Sequence, residues 1–326
     1  CVLTQNGPAF LNPVAFGTNP CTGTVLITSR DLFVGSGLDP DNIPEFFENE
    51  VDEFLPKAAI EYKVNEDMLA YASISKGIRN GGLNSSFVAL TPEQLTFGSD
   101  TVWAYEIGIK SVWNDGDVVV NIGAYYNDWD DIQIAVSTAL GSLLVNGPQA
   151  SSKGIEIETF WKLNENMSVF LNANYNDATF GEDFVLADAG SAALLELLGL
   201  GVPSITEGDR LSFTPEYSIT GGADFSYPIG NGDMTLVGHV DFQYVGDRES
   251  GIGGSIPSDF SILDSYFLAN ARIGIDTENW GITAFVSNLT NEIHRSAPFR
   301  AGPGGIVTGA YVNRPRTFGV TVRANF

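Results

Sequence analysis

The chain has 326 residues, enough for one large fold or two ordinary domains, with 40 acidic against 16 basic residues and a net charge of −24. That balance argues against nucleic acid and polyphosphate partners, which need basic surfaces, and fits cations or neutral ligands. Mean hydropathy is only +0.05, and no apolar run reaches the ~18 residues a spanning helix needs. The longest such stretch, AALLELLGLGV at 192–202, is interrupted by Glu196.

The opening, residues 1–52, is rich in Gly, Pro and Asn and reads as an extracellular loop region. Its two cysteines, Cys1 and Cys21, leave three readings open. They form a disulfide that staples a surface loop in an oxidising compartment, they are two free thiols, or Cys1 is a lipidated N-terminus. No secretory signal opens the chain at Cys1; either processing or a cut has removed earlier sequence, and the strand count below leads us to expect the cut.

From residue 53 onward the signal has period two. In KGIEIETFWKL at 153–163, Ile155, Ile157, Thr159, Trp161 and Leu163 share one face, opposite Gly154, Glu156, Glu158, Phe160 and Lys162. The same alternation runs through 216–227, 234–244 and the last segment, where Phe318, Val320, Val322, Ala324 and Phe326 oppose polar or small residues. A helix would scatter these residues around its axis. A soluble sandwich also alternates, but its strands usually stop at about five or six residues, whereas about ten suit a tilted strand crossing a bilayer.

Eleven strands are expected, near 53–64, 68–78, 102–113, 117–134, 151–163, 167–177, 215–228, 234–247, 264–276, 280–289 and 314–326. Short Asn/Asp/Gly turns (64–68, 114–117, 163–167, 230–233, 276–280) alternate with long irregular loops near 79–100, 135–151, 178–214, 248–263 and 290–313. Outer-membrane barrels have this asymmetry, with short periplasmic turns and long extracellular loops. Aromatics near strand ends (Trp103, Trp113, Trp129, Trp161, Tyr175, Tyr227, Tyr244, Tyr266 and Trp280) suit interfacial girdles. The expected fold is all-β, a transmembrane antiparallel β-barrel. An odd count cannot close alone without open edges in lipid, so a remainder of similar size is expected upstream.

Several segments resemble one family, the TonB-dependent outer-membrane receptors. YASISKGIRNGGLN at 71–84 resembles the family's S-K-G-aromatic-basic-x-G-G-aromatic-N segment, with Ile78 and Leu83 in place of aromatics. YEIGIKS at 105–111, AYYNDWDDIQI at 124–134, KGIEIE at 153–158, NLTNE at 288–292 and RPRTFGVTVRANF at 314–326 follow in the family's order. The resemblance implies that residues 53–326 are the C-terminal half of a barrel of about twenty-two strands. It implies that a plug and the TonB-contacting segment precede this region, and that the terminal aromatic, Phe326, is a recognition signal for the barrel-assembly machinery. Function would then be TonB-energised import of a scarce solute of the siderophore-iron, cobalamin or oligosaccharide class, across the outer membrane of a Gram-negative bacterium. A passive porin or structural barrel, and a soluble β-repeat protein, are the competing classes.

Catalytic signals are sparse, and an enzyme is not expected. His239 and His294 are the two histidines, and neither sits in a metal-binding spacing. GPGG at 302–305 lacks the strand-to-helix context of a phosphate cradle and reads as loop. Acid clusters at 39–42, 45–53 and 128–131 could offer oxygens to Ca²⁺, but match no complete calcium loop and read first as solvated acid. Leu194, Leu195, Leu197 and Leu198 suggest one face of a short loop helix. The expected ligand contacts are Arg79, Asn80, Trp129, Asp130 and Arg248, polar or aromatic residues near extracellular strand ends.

Overall fold

The computed structural model describes residues 53–84, 95–138, 141–185, 202–252, 261–301 and 307–325. Cys1, Cys21, the acidic segments 39–42 and 45–52, the leucine segment 194–198 and Phe326 lie outside these residues.

The chain repeats one unit: two long strands joined by a tight turn, then two short strands. In order these are β1 (Lys57–Asn65), β2 (Met68–Arg79), β3 (Gly82–Leu83) and β4 (Thr96–Phe97), then β5 (Asp100–Trp113), β6 (Val118–Asp130), β7 (Gln133–Thr138) and β8 (Gly141–Asn146). There follow β9 (Ala150–Asn164), β10 (Met167–Phe180), β11 (Phe184–Val185) and β12 (Ser204–Ile205), then β13 (Tyr217–Ile229), β14 (Met234–Val245), β15 (Arg248–Glu249) and β16 (Ile262–Leu263). The chain ends with β17 (Tyr266–Asp276), β18 (Trp280–Ser287), β19 (Arg295–Ala301), β20 (Val307–Val312) and β21 (Thr317–Ala324). The eleven long strands form one antiparallel sheet in sequence order, with β1 and β21 at its edges.

Two differences from the expected elements stand out. Among the described residues, each long loop carries a two-stranded hairpin of its own. The strand expected over 117–134 ends at Asp130, because Asp131 takes a left-handed φ of 56° and turns the chain into β7. Asp tolerates that conformation better than most residues.

Register explains both faces of the sheet. One row of cross-strand partners runs Tyr62, Ala70, Ile109, Ile122, Ile157, Ala173, Ile219, Tyr244 and Phe267, apolar throughout. The adjacent row, one residue on, runs Glu61, Tyr71, Gly108, Gly123, Glu156, Asn174, Ser218, Val245 and Tyr266. Period two turns a single step along the chain into a change of face. Ile107 and Ile273 leave 61% and 53% of their surface uncovered by protein. Such exposure is costly in water and favourable in lipid, and about ten residues at roughly 3.3 Å rise and 40–45° tilt match an apolar band ~25 Å tall. Among the described residues no helix is long and apolar enough to cross a membrane; strands make the crossing.

Register also corrects the girdle. Trp103, Trp113, Trp161, Tyr175, Tyr227, Tyr244 and Trp280 share the apolar face, but Trp129 and Tyr266 lie on the polar one.

The tight turns have local causes. Asn114, Asp115 and Gly116 all take positive φ, which an Asn-Asp-Gly run adopts at little cost. Asp67 and Asn166 donate their backbone N–H to the side chains of Asn65 and Asn164 at 2.9 and 2.8 Å. With turns fixed at one end, the five hairpin-bearing loops gather at the other.

Candidate functional site

The loop end is a cross-linked rim with its own apolar core. Ile132, Ile134, Val136, Ala150, Phe180, Ile205 and Ile252 are buried together, with Trp129, Val145, Phe184 and Leu211 packed against them. These residues come from three successive loop-and-strand units, so those loops support one another rather than standing free.

Polar links continue that support. Asp100, 2% exposed, accepts both oxygens' worth of hydrogen bonds from Arg79 Nε at 3.0 Å, forms an ion pair with Arg79 Nη2, and accepts the Gln133 N–H at 2.9 Å. Gln133 Nε2 donates to the carbonyls of Asn80 and Gly98, each at 3.0 Å. Asn146 Nδ2 donates to the Asp131 and Gly98 carbonyls at 2.9 and 3.1 Å, while Asn84 exchanges two bonds with Leu144. Hairpin β3–β4 is thereby locked to hairpin β7–β8. Further round, Phe180 N–H donates to the Asp209 carbonyl at 2.9 Å, Arg210 pairs with Asp247 at 3.1 Å, and Phe213 N–H donates to the Glu249 carbonyl at 2.6 Å. Burial comes first in pushing the Glu249 carboxyl up, and nearby Asp209 and Asp247 add to it against the pull of Arg210.

The last unit is held by Asn288, 6% exposed with φ of 53°. Its amide donates to the Glu292 and Arg314 carbonyls at 2.8 and 3.1 Å, and its oxygen accepts the Glu292 N–H at 2.9 Å. These bonds tie NLTNE to the RPR segment, which gives both motifs a structural reason.

Arg248 differs from its neighbours. It is 8% exposed and its guanidinium lies over the Tyr266 ring, 5.5 Å from the centroid. His294 stacks on the same ring at 3.7 Å and 7°. Burial, and then the positive charge of Arg248, push the His294 imidazole below its ordinary range, so it stays neutral.

Below the rim, the inner face carries an acidic wall. Tyr71 OH donates to Glu106 at 2.5 Å, Asn174 donates to Glu156 at 2.9 Å, and Lys110 sits 5.5 Å over the Tyr71 ring. A cavity of about 300 Å³ opens there, bounded by Ser73, Ser75, Glu106, Tyr125, Asn127 and Glu156. The glycines in YEIGIKS and KGIEIE have a common cause. A Cβ on Gly108 would stand 2.6 Å from the Tyr71 ring, and one on Gly154 would stand 2.5 Å from Tyr125. Each glycine lets a cross-strand tyrosine lie flat on the wall. Further along, His239 bridges Asp224 and Asp241 at 2.8 and 3.2 Å on the same face.

The expected contact residues therefore sit at the rim in different circumstances. Arg79 is engaged by Asp100, Asn80 offers its carbonyl to Gln133, and Trp129 packs against the loop core. Asp130 is exposed, and Arg248 is buried in the Tyr266–His294 stack. Gln133 and Asn288 fall inside the quoted motifs 124–134 and 288–292 without a role assigned to them, and Asp100 and Asn146 are not singled out, because isolated Asn and Asp residues near loops carry no periodic signal. Among the described residues, no three His, Cys, Asp or Glu gather as a metal site.

The fold and site define a transmembrane β-sheet with a braced extracellular rim over a polar inner wall. A family model described as "TonB dependent receptor-like, beta-barrel" matches residues 28–289, and the chain belongs to that family, which is found in the Gram-negative outer membrane. Similar solved structures include the ferric yersiniabactin uptake receptor FyuA from Yersinia pestis, at TM-score 0.62 and 20% identity, covering 83% of this chain and 37% of that one. The ferric preacinetobactin receptor BauA from Acinetobacter baumannii matches at TM-score 0.55 and 17% identity, covering 82% and 36%. The copper transporter OprC matches at TM-score 0.55 and 13% identity, covering 83% and 39%. At these identities the likeness concerns the fold, and the chain spans somewhat over a third of the length of the structures it matches.

Proposed function

We propose that the chain is the wall and rim of a TonB-energised importer for a scarce solute, with ferric siderophores as the first class to try and cobalamin or oligosaccharide next. The observation that carries this reading is the braced rim: five loop hairpins, three of them around a shared buried core and the other two tied in by Asn, Gln, Asp and Arg groups. A rim of that rigidity suits a preorganised binding mouth, which lowers the ordering cost of capture. The acidic inner wall, with Glu106, Glu156 and Glu158 on one face, suits a basic face of a plug. Family membership supports the remaining parts: TonB as the energy-coupling partner, further strands that complete the barrel, and recognition of Phe326 by the assembly machinery. No catalysis is assigned to the chain.

Uptake of radioiron-loaded siderophores by a deletion strain and its complemented parent tests this. Import should vanish on deletion, return on complementation, and stop when a protonophore or loss of TonB removes the energy source. Import that continues after the protonophore would identify a passive porin instead. Calcium binding at the acid clusters is a separate proposal, and an unchanged melting temperature between calcium and chelator would end it.

A further inference from the structure

Arg248 Nη1 and His294 Nδ1 are buried, and neither meets a hydrogen-bond partner among the described residues. A guanidinium taken out of water without a carboxylate beside it is costly, and contact with an aromatic face offsets only part of that cost. Arg79, in the same rim, is given Asp100; Arg248 is given Tyr266 and a neutral imidazole.

We propose that Arg248, Tyr266 and His294 form a seat for a carboxylate of the imported solute, a reading that rests on the importer proposed above. Tyr266 comes from the inner face of β17, so the seat borders the interior of the barrel rather than lipid. One carboxylate oxygen accepts from Arg248 Nη1, and the second accepts from His294 Nδ1 when that nitrogen carries the proton. The Tyr266 ring, which both side chains contact, fixes where they stand relative to one another. The seat holds the positive charge of Arg248 and has the Glu292 carboxylate acting on His294, so a singly charged group fits better than a dianion. Both nitrogens are covered by the rim in this structure, so the carboxylate displaces part of that cover on binding.

Calorimetric titration of the full receptor in detergent with acetate, citrate and inorganic phosphate tests the seat. Acetate and citrate should bind the native protein, with phosphate weaker. R248Q should weaken carboxylate binding by about tenfold or more, and H294Q by a smaller factor. Heat-modifiable gel migration verifies that each variant is folded, and R248K provides a charge-keeping variant expected to bind at an intermediate level. No carboxylate binding by the native protein, equal binding by folded R248Q, or tighter binding of phosphate would each overturn the seat. Energy-dependent uptake is read separately, so a missing seat and a missing importer give different results.

Discussion

Arg79 and Arg248 stand at matching places, each where a strand rising from a tight turn enters the rim, yet the rim treats them differently. Arg79 is half in solvent and finds a buried carboxylate that also accepts the Gln133 backbone. Arg248 is buried and finds a tyrosine face, with one donor to spare. The first arrangement closes a network; the second leaves one open. Pairing at Arg79 braces two hairpins, while the unpaired geometry at Arg248 is suited to receive something. A charged residue near a strand end is therefore no guide to role until its partners are known.

The largest expected effect comes from breaking the closed network. Asp100→Ala leaves the Arg79 guanidinium and the Gln133 N–H without their acceptor, and after discounting for the half-exposed arginine should cost about 1–3 kcal/mol of local stability. Hydrogen exchange at residues 133–146 should accelerate accordingly, and unchanged protection there would mean that Asp100 does not brace the rim. Asn146→Ala removes several backbone links at once but leaves carbonyls that water can reach, so a cost of about 1–2 kcal/mol is expected in the same exchange measurement.

Arg248→Met sharpens the contrast. Replacing an unpaired buried charge with an apolar side chain of similar volume should leave thermal stability within about 1 kcal/mol, or raise it, while abolishing carboxylate binding. A large loss of stability would show instead that Arg248 has a bracing role like that of Arg79.

The smallest effect concerns pH. The folded rim holds His294 neutral, below its ordinary value near 6.5, so the open rim takes up a proton first as the solution acidifies. Stability of that seam is complete above the ordinary value and is lost as pH falls through it toward the folded value. Glu249 has the opposite sign: its carboxyl is raised from about 4.5, so its contribution weakens as pH rises through that range. The histidine's contribution is therefore read from about pH 7 downward, and the glutamate's from about pH 4.5 upward. Exchange at Tyr266 and its neighbours should quicken as pH falls through the histidine's range in the native protein and stay flat in His294→Gln; parallel behaviour of the two would remove His294 as the cause.

Much of the fold was legible because the information is local. The alternation at 153–163 and at 234–244 identifies both the strands and the two faces that the register confirms. Asn-Asp-Gly at 114–116 announced its own turn. The loop hairpins were missed because their strands are short and pair through contacts with other loops. Trp129 and Tyr266 were assigned to the girdle from their position near strand ends, whereas their face depends on where the strand register falls.

What the sequence by itself determined is the eleven-strand framework, its two faces, its turn end and loop end, and, through ordered motifs, the family. A period of two and a turn residue's φ are properties of a few consecutive residues, and they survive without knowledge of neighbours. Only the tertiary structure decided which rim residues are engaged. Arg79 meets Asp100 across 21 residues and Gln133 meets Asp100 across 33, while Arg248 meets Tyr266 and, among the described residues, no carboxylate. Those partners are brought together by cross-strand register and loop packing, which no local pattern encodes.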